Sequence, residues 1–179
     1  INIVSYFLSL YFILKLKLGF NFKEQAINIS LIKGLIGYQT RKFFYEKTLN
    51  KCGNNLRVHY GAYITTPNSK IGNRCTIEEH SIVSLADIGD DVIIASNVIL
   101  LSGKLHHEVD NLNVKFHDSI LTMPGLVINN NIWIGVNSVI MANIASGTIV
   151  GAGSVVNKNI EDENCIYAGN PAKFIRKRG

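Results

Sequence analysis

The sequence predicts a mainly β fold: a three-sided parallel coil with an N-terminal helical segment and one ejected loop. Three observations carry that expectation. Aliphatic residues recur every six positions between Ile71 and Val150, and a glycine or alanine usually follows them. The first fifty residues carry no such repeat. A polar, histidine-bearing stretch from Gly103 to Gly125 interrupts the array. A helix repeats at 3.6 and an exposed strand at 2, so neither produces a period of six.

Residues 1–18 are nearly all apolar or aromatic, with Lys15 and Lys17 near the end. No positive n-region and no small-residue cleavage site accompany them, which fits a signal peptide poorly. The clean run is also shorter than the ~20 residues of a spanning helix. The absence of an initiator Met suggests that the natural start lies upstream. Two readings stand: a helix packed on the core or on a neighbouring subunit, or a helix in a membrane interface with Lys15, Lys17, Lys23 and Lys33 near anionic headgroups. A second helix is expected over Ile36–Leu49, stopped by Cys52-Gly53-Asn54-Asn55.

The hexads begin at Ile71, Ile77, Ile88, Ile94, Ile128, Ile134, Ile144 and Val150. Each predicts one short strand and one corner. The first residue points inward and stacks on its equivalent in the next coil, and a small second residue lets the backbone bend, with glycine free to take a positive φ there. The fifth position is small or β-branched, as at Ser81, Val92, Val98, Ile132, Ser138, Thr148 and Ser154. The phase slips at Ser84–Asp87, shortens at Ile140–Asn143 and breaks at Gly103–Gly125. A loop of about twenty residues thrown out of a compact repeat marks a functional segment.

Composition narrows the function classes. The chain of 179 residues is 47% apolar and 17% charged, which excludes a disordered or acidic-tail protein. Cys52, Cys75 and Cys165 lie far apart with no CxxC pair, so neither a zinc knuckle nor a disulfide framework is indicated, and a reducing cytoplasmic setting is expected. Residues 1–60 hold nine Lys/Arg against two acids, residues 61–172 hold five against eleven, and the last seven residues hold four Lys/Arg. Two separate basic ends on an acidic body do not form a phosphate-tracking face, so no nucleic-acid partner is expected.

Three runs, Ile128–Asn137 (INNNIWIGVN), Val150–Lys158 (VGAGSVVNK) and Tyr167–Arg178 (YAGNPAKFIRKR), resemble the hexapeptide-repeat acyltransferases. Within that family the chain is most similar to the sugar O-acetyltransferases of the maltose and galactoside type and of surface-polysaccharide synthesis. The resemblance covers roughly residues 53–178. It implies a left-handed parallel β-helix, a homotrimer, and acetyl-CoA bound between adjacent subunits as co-substrate. The chain then divides into an N-terminal helical segment (1–50), an acyltransferase β-helix (51–172, with ejected loop 103–125) and a basic C-terminal tail (173–179).

By the same resemblance His107 is the catalytic base, with Asp110 three residues on and His106 as the neighbouring candidate. The chemistry asks for a base near neutral pKa that takes a sugar hydroxyl's proton, and imidazole suits it. Asp110 either orients the ring or caps the turn. For the donor, Trp133, Gly135, Val136 and Ala152 line the expected flat wall, while Asn157, Lys158, Lys173 and Arg176 meet the polar end of the cofactor. Trp133 either packs a corner or lies against the thioester or sugar. Asn157 replaces the family's usual Thr, so one hydroxyl is lost at that step. Glu78, Ser84 and Asp87 are the acceptor-binding candidates, with Glu78 standing where relatives often place Asn.

No metal is expected, because the spacing of His80, His107 and His117 does not reproduce a three-histidine zinc pattern. The reading is an acetyl-CoA-dependent O-acetyltransferase acting on a sugar or surface-polysaccharide precursor, in the cytoplasm or at the inner face of the membrane. The alternatives are an N-acyltransferase acting on an amino-sugar nucleotide and a non-catalytic β-helical scaffold.

Overall fold

A computed structural model describes residues 2–103, 106–119 and 122–179. Ile1 and four positions of the expected loop (104, 105, 120 and 121) lie outside the described residues. Helices α1 (Asn2–Lys17), α2 (Phe22–Ser30) and α3 (Gly34–Thr48) precede the β region. The sequence reading placed α1 and α3 to within two residues and did not identify α2. Asn21 starts α2 by accepting a hydrogen bond from the Glu24 amide, 3.1 Å, at the N-cap.

Three strands form each coil, beginning with β1 (Lys51–Cys52), β2 (Arg57–Val58) and β3 (Tyr63–Ile64). The second coil adds β4 (Lys70–Ile71), β5 (Thr76–Ile77) and β6 (Ile82–Val83), and the third adds β7 (Ala86–Ile88), β8 (Ile93–Ile94) and β9 (Ile99–Leu100). Beyond the loop come β10 (Leu126–Ile128), β11 (Trp133–Ile134), β12 (Val139–Ile140), β13 (Ile149–Val150), β14 (Val155–Val156), β15 (Cys165–Ala168) and β16 (Lys173–Lys177). They build three parallel sheets, β1-β4-β7-β10, β2-β5-β8-β11-β13-β15-β16 and β3-β6-β9-β12-β14. Only β16 runs antiparallel, against β15, among the described strands. The result is a left-handed parallel β-helix of about six coils with three helices at one end and one ejected loop.

The hexad logic holds for the core. Ile71, Ile77, Ile94, Ile128, Ile134, Ile144 and Val150 are fully buried and Ile88 nearly so. Stacking of like residues between coils, Ile71 on Ile88 and Ile134 on Val150, buries apolar area at roughly 25 cal/mol per Å². Hydroxyls at the fifth position close the corners. Ser81 Oγ donates to Ala95 O at 2.7 Å and accepts from the Val98 amide at 3.0 Å. A buried serine fits there because its hydroxyl satisfies backbone groups that the bend leaves open.

One detail of the corner is corrected. The positive-φ residue is the fourth of the hexad, not the second. Arg74, His80, Asp91, Asn97, Asn131 and Asn137 have φ between 56° and 61°, and none of Gly72, Gly89, Gly135 or Gly151 is left-handed. Those glycines are small because the next coil passes against them. A Cβ on Gly72 would stand 2.5 Å from the carbonyl carbon of Gly89, and one on Gly135 would stand 2.5 Å from the Ala152 amide. Asparagine dominates the fourth position because its short polar side chain tolerates the left-handed region.

Arg41 of α3 ties the helices to the first coil. Its buried guanidinium donates to Val58 O (2.8 Å), Ile32 O (2.9 Å), Ile29 O (3.2 Å) and Ser30 O (3.3 Å). Three of those carbonyls lie at or just beyond the C-terminal end of α2, where carbonyls lack helical partners and a cation is favoured. Burial lowers the Arg41 pKa from its usual value.

Candidate active site

The loop leaves at the corner between β9 and β10, and its two feet meet. The Gly125 amide donates to Ser102 O at 3.0 Å, and a Cβ on Gly103 would touch Pro124. Above the feet, a 3₁₀ turn at Phe116–Asp118 brings a carbonyl back toward His107. His107 Nδ1 lies 3.1 Å from Phe116 O and 2.9 Å from Ser119 Oγ, while Ser119 Oγ donates to the same carbonyl at 2.8 Å. A carbonyl only accepts, so the bond to Phe116 O requires the proton on Nδ1. Nε2 then carries the lone pair of the neutral ring. Phe116 also meets the imidazole edge-on, with centroids 6.3 Å apart.

His107 lines a cleft of about 600 Å³ together with Glu108, Asp110, Asn111, Asp118 and Ser119. Asp110 faces the same space, but no hydrogen bond joins it to the imidazole among the described residues. Glu108 Oε1 caps this turn by accepting from the amides of Asp110 (2.8 Å) and Asn111 (3.3 Å). His106 points elsewhere, with Nε2 3.2 Å from Ser102 Oγ at the loop's foot. Nothing in the sequence marks Phe116 or Ser119 as the groups that fix His107. Their spacing to it depends on how the loop folds back.

The donor candidates fall in two groups. Trp133 stands on the seven-stranded sheet between Ile93 and Ile149, 53% exposed. In register with it across β13, β15 and β16 come Ile149, Ile166 and Arg176. Three strand steps set Trp133 and Arg176 about 14 Å apart on one outer face. Lys173 and Arg176 lie on exposed β16, where Arg176 Nη1 donates to Lys177 O at 2.8 Å. Gly135, Val136 and Ala152 follow at the corner between the seven- and five-stranded sheets.

Asn157 and Lys158 occupy the opposite end of the five-stranded sheet. They line a cleft of about 720 Å³ with Gly103, Pro124, Met141, Asn143 and Glu161. Lys158 thus sits by the feet of the His107 loop, whereas Trp133, Gly135, Val136 and Ala152 do not line that cleft.

The acceptor candidates do not line the His107 cleft either. Glu78 lies after β5, with Ser96 Oγ donating to it at 3.4 Å, and Asp87 of β7 pairs with Lys70 at 2.7 Å. Ser84 lends its carbonyl to Ser69 Oγ at 3.3 Å. Beside Glu78, Glu79 pairs with His59 Nδ1 at 2.9 Å and accepts from Ser96 Oγ at 3.1 Å. Its own amide and His59 hold its carboxyl below the usual range. Among the described residues no group of three His, Cys, Asp or Glu is arranged to hold a metal ion.

Comparison with known proteins gives this geometry its context. The chain is 38% identical over 94 residues to galactoside O-acetyltransferase of Escherichia coli, a match spanning 50% of this chain and 43% of the relative. It is 35% identical over 97 residues to a putative lipopolysaccharide biosynthesis O-acetyl transferase of the same organism, spanning 50% and 49%. The chain thus spans about half the length of the curated relatives it matches. No family model matches it. A maltose O-acetyltransferase from Clostridium difficile superposes with a TM-score of 0.77 at 22% identity, covering 88% of this chain and 85% of that one. A galactoside acetyltransferase in complex with coenzyme A gives 0.76 at 25% identity, covering 88% and 79%. Over half its length the chain is homologous to sugar O-acetyltransferases, and over most of it shares the left-handed β-helix of the hexapeptide-repeat acetyltransferases.

Proposed function

We propose that the protein transfers an acetyl group from acetyl-CoA to a hydroxyl of a sugar or surface-polysaccharide precursor, with His107 as general base. The observation that carries this reading is the pinned Nδ1–H of His107 at a cleft, which leaves Nε2 as the free lone pair. Nε2 takes the acceptor's hydroxyl proton as its oxygen attacks the thioester carbon. The carbon–sulfur bond then breaks, and the proton returns to the departing thiolate. Coenzyme A appears as the bound ligand of a solved relative. The residues here suit it: Lys158, Lys173 and Arg176 offer cations for its phosphates.

The working unit in this reading is a homotrimer. Ile93, Ile99 and Trp133 expose apolar side chains on the outer faces of two sheets, and the donor candidates are divided between those two sheets. Two chains placed corner to corner would bring the groups together. Glu78, Ser84 and Asp87 remain the proposed acceptor contacts, supplied from such a neighbour. The three free cysteines suit a cytoplasmic setting.

The test follows CoA release from acetyl-CoA with a panel of sugars and amines. Sugar-dependent release lost on the order of 10²–10⁴-fold in His107→Ala, with a much smaller loss in His106→Ala, is the expected result. Amine-dependent release alone would identify an N-acyltransferase, and release with neither would leave a scaffold.

A further inference from the structure

Helix α1 is apolar on its outer face as well as on the face it buries. The residues it buries against the protein are Ser5, Ser9 and Phe12, with Leu8, Ile13 and Leu16 partly covered. Its outer face carries Ile3 (72% exposed), Val4, Phe7 (65%), Leu10, Tyr11, Leu14 and Leu18 (68%). A solvent-facing helix carries polar residues there. The inner face is fixed rather than incidental, since Ser5 Oγ donates to Ile36 O at 3.1 Å and Tyr6 stacks edge-on against Phe43 at 5.7 Å. That contact also brings the exposed Leu35 and Ile36 to the N-terminal half of the same patch. Contiguous apolar surface on this scale marks an interaction site.

Charge identifies the partner. No acidic residue lies in α1. Lys15 and Lys17 stand at its C-terminal end, and Lys33 precedes Leu35 and Ile36 at the other. Lys15 lies 4.8 Å from the Tyr11 ring centroid and 5.6 Å from that of Phe20, its stem along aromatic surface and its ammonium at the edge. The complement of an apolar strip rimmed by lysines is a layer that is apolar within and anionic at its rim. Half-exposed Tyr6 and Tyr11 suit the headgroup depth of such a layer. Among the described residues no helix is long and apolar enough to cross a membrane. Packing along α3 leaves α1 only one face to offer, which fits a helix lying in the interface plane.

We propose that the outer face of α1, with Lys15, Lys17 and Lys33, seats the protein on an anionic phospholipid surface. This does not depend on the acetyl-transfer reading, because it is measured without donor or acceptor. The experiment is flotation of the 179-residue chain with vesicles of phosphatidylcholine alone or mixed with phosphatidylglycerol. The chain should float with the anionic vesicles, less so as salt rises. Lys15→Gln/Lys17→Gln should weaken binding roughly 25-fold, at about five-fold per lysine. Phe7→Glu/Leu14→Glu should abolish it while circular dichroism and thermal unfolding stay unchanged, as both side chains are exposed. Equal flotation with neutral vesicles, no flotation at all, or binding indifferent to both variants would overturn the proposal. So would a fall in lipid-free mass by light scattering in Phe7→Glu/Leu14→Glu, because a second copy would then be what covers the face.

Discussion

Ser119 tests whether His107 is a base whose direction is fixed from outside the ring. Ser119 Oγ lies 2.9 Å from His107 Nδ1 and donates to Phe116 O, the ring's other partner, at 2.8 Å. Ser119→Ala removes one of the two contacts at Nδ1 and leaves the 3.1 Å contact to the carbonyl. A net hydrogen bond of this kind contributes about 1 kcal/mol, or roughly five-fold in rate if all of it serves orientation. Turnover should therefore fall about five-fold, with the KM for acetyl-CoA unchanged. His107→Ala should lose on the order of 10²–10⁴-fold. The cycle is what decides. If Ser119 acts only through the imidazole, adding Ser119→Ala to His107→Ala should cost nothing further. Initial rates of CoA release across the four proteins measure it. A five-fold loss that persists without His107 would refute the reasoning and assign Ser119 to the loop's shape or to the substrate.

Lys158→Ala, Lys173→Ala and Arg176→Ala should each raise the KM for acetyl-CoA more than they lower turnover, as seen in saturation kinetics, because the phosphates are remote from the reacting carbon. Gly72→Ala should destabilise the fold by about 1–3 kcal/mol in urea unfolding, since the new Cβ meets the backbone of Gly89 as well as the Asp90 carboxylate, and the backbone cannot step aside as a side chain can. Arg41→Met should cost about 3 kcal/mol or more in the same assay, because four carbonyls lose a charged donor in a buried site. Glu79 has a lowered folded-state pKa, so its contribution is present above the usual 4.5 and is lost as pH falls through the lowered value. Glu79→Gln should accordingly flatten the acid limb of a stability-versus-pH curve as pH falls from about 4.5 through the lowered value.

The β region was legible because its signal repeats. Each buried Ile or Val of the hexads does the same job in successive coils, so the period survives irregular spots such as the slip at Ser84–Asp87. The corner was misread for an equally physical reason. Glycine suggests a positive φ, yet at Gly72 and Gly135 it answers to the coil stacked against it. That neighbour is seventeen residues on for Gly72, beyond any local reading. The burial of Arg41 carries no sequence signal, because nothing nearby in sequence shows that α2 ends its carbonyls against that position. α2 itself is nine residues long, too short for its period to stand out from sequence alone.

The site was legible as residue types and not as an assembly. His107, Asp110 and Lys158 were singled out as candidates from motifs, and the structure adds that Lys158 stands by the feet of the loop that carries the other two. Trp133, Gly135, Val136 and Ala152 were singled out from the same motifs, but Trp133 lies on the seven-stranded sheet and the other three at the corner where it meets the five-stranded one. That separation follows from the coil. Residues of one hexad and the next fall on different sides of a three-sided prism, so motifs adjacent in sequence face different directions. In the proposed function, coenzyme A touches both sets where one side of a prism meets another side of a second copy. The same proposal has Glu78, one corner away from the loop, meet a sugar at His107 across such a junction. On this view a monomeric variant would lose acetyl transfer with every one of its own side chains in place.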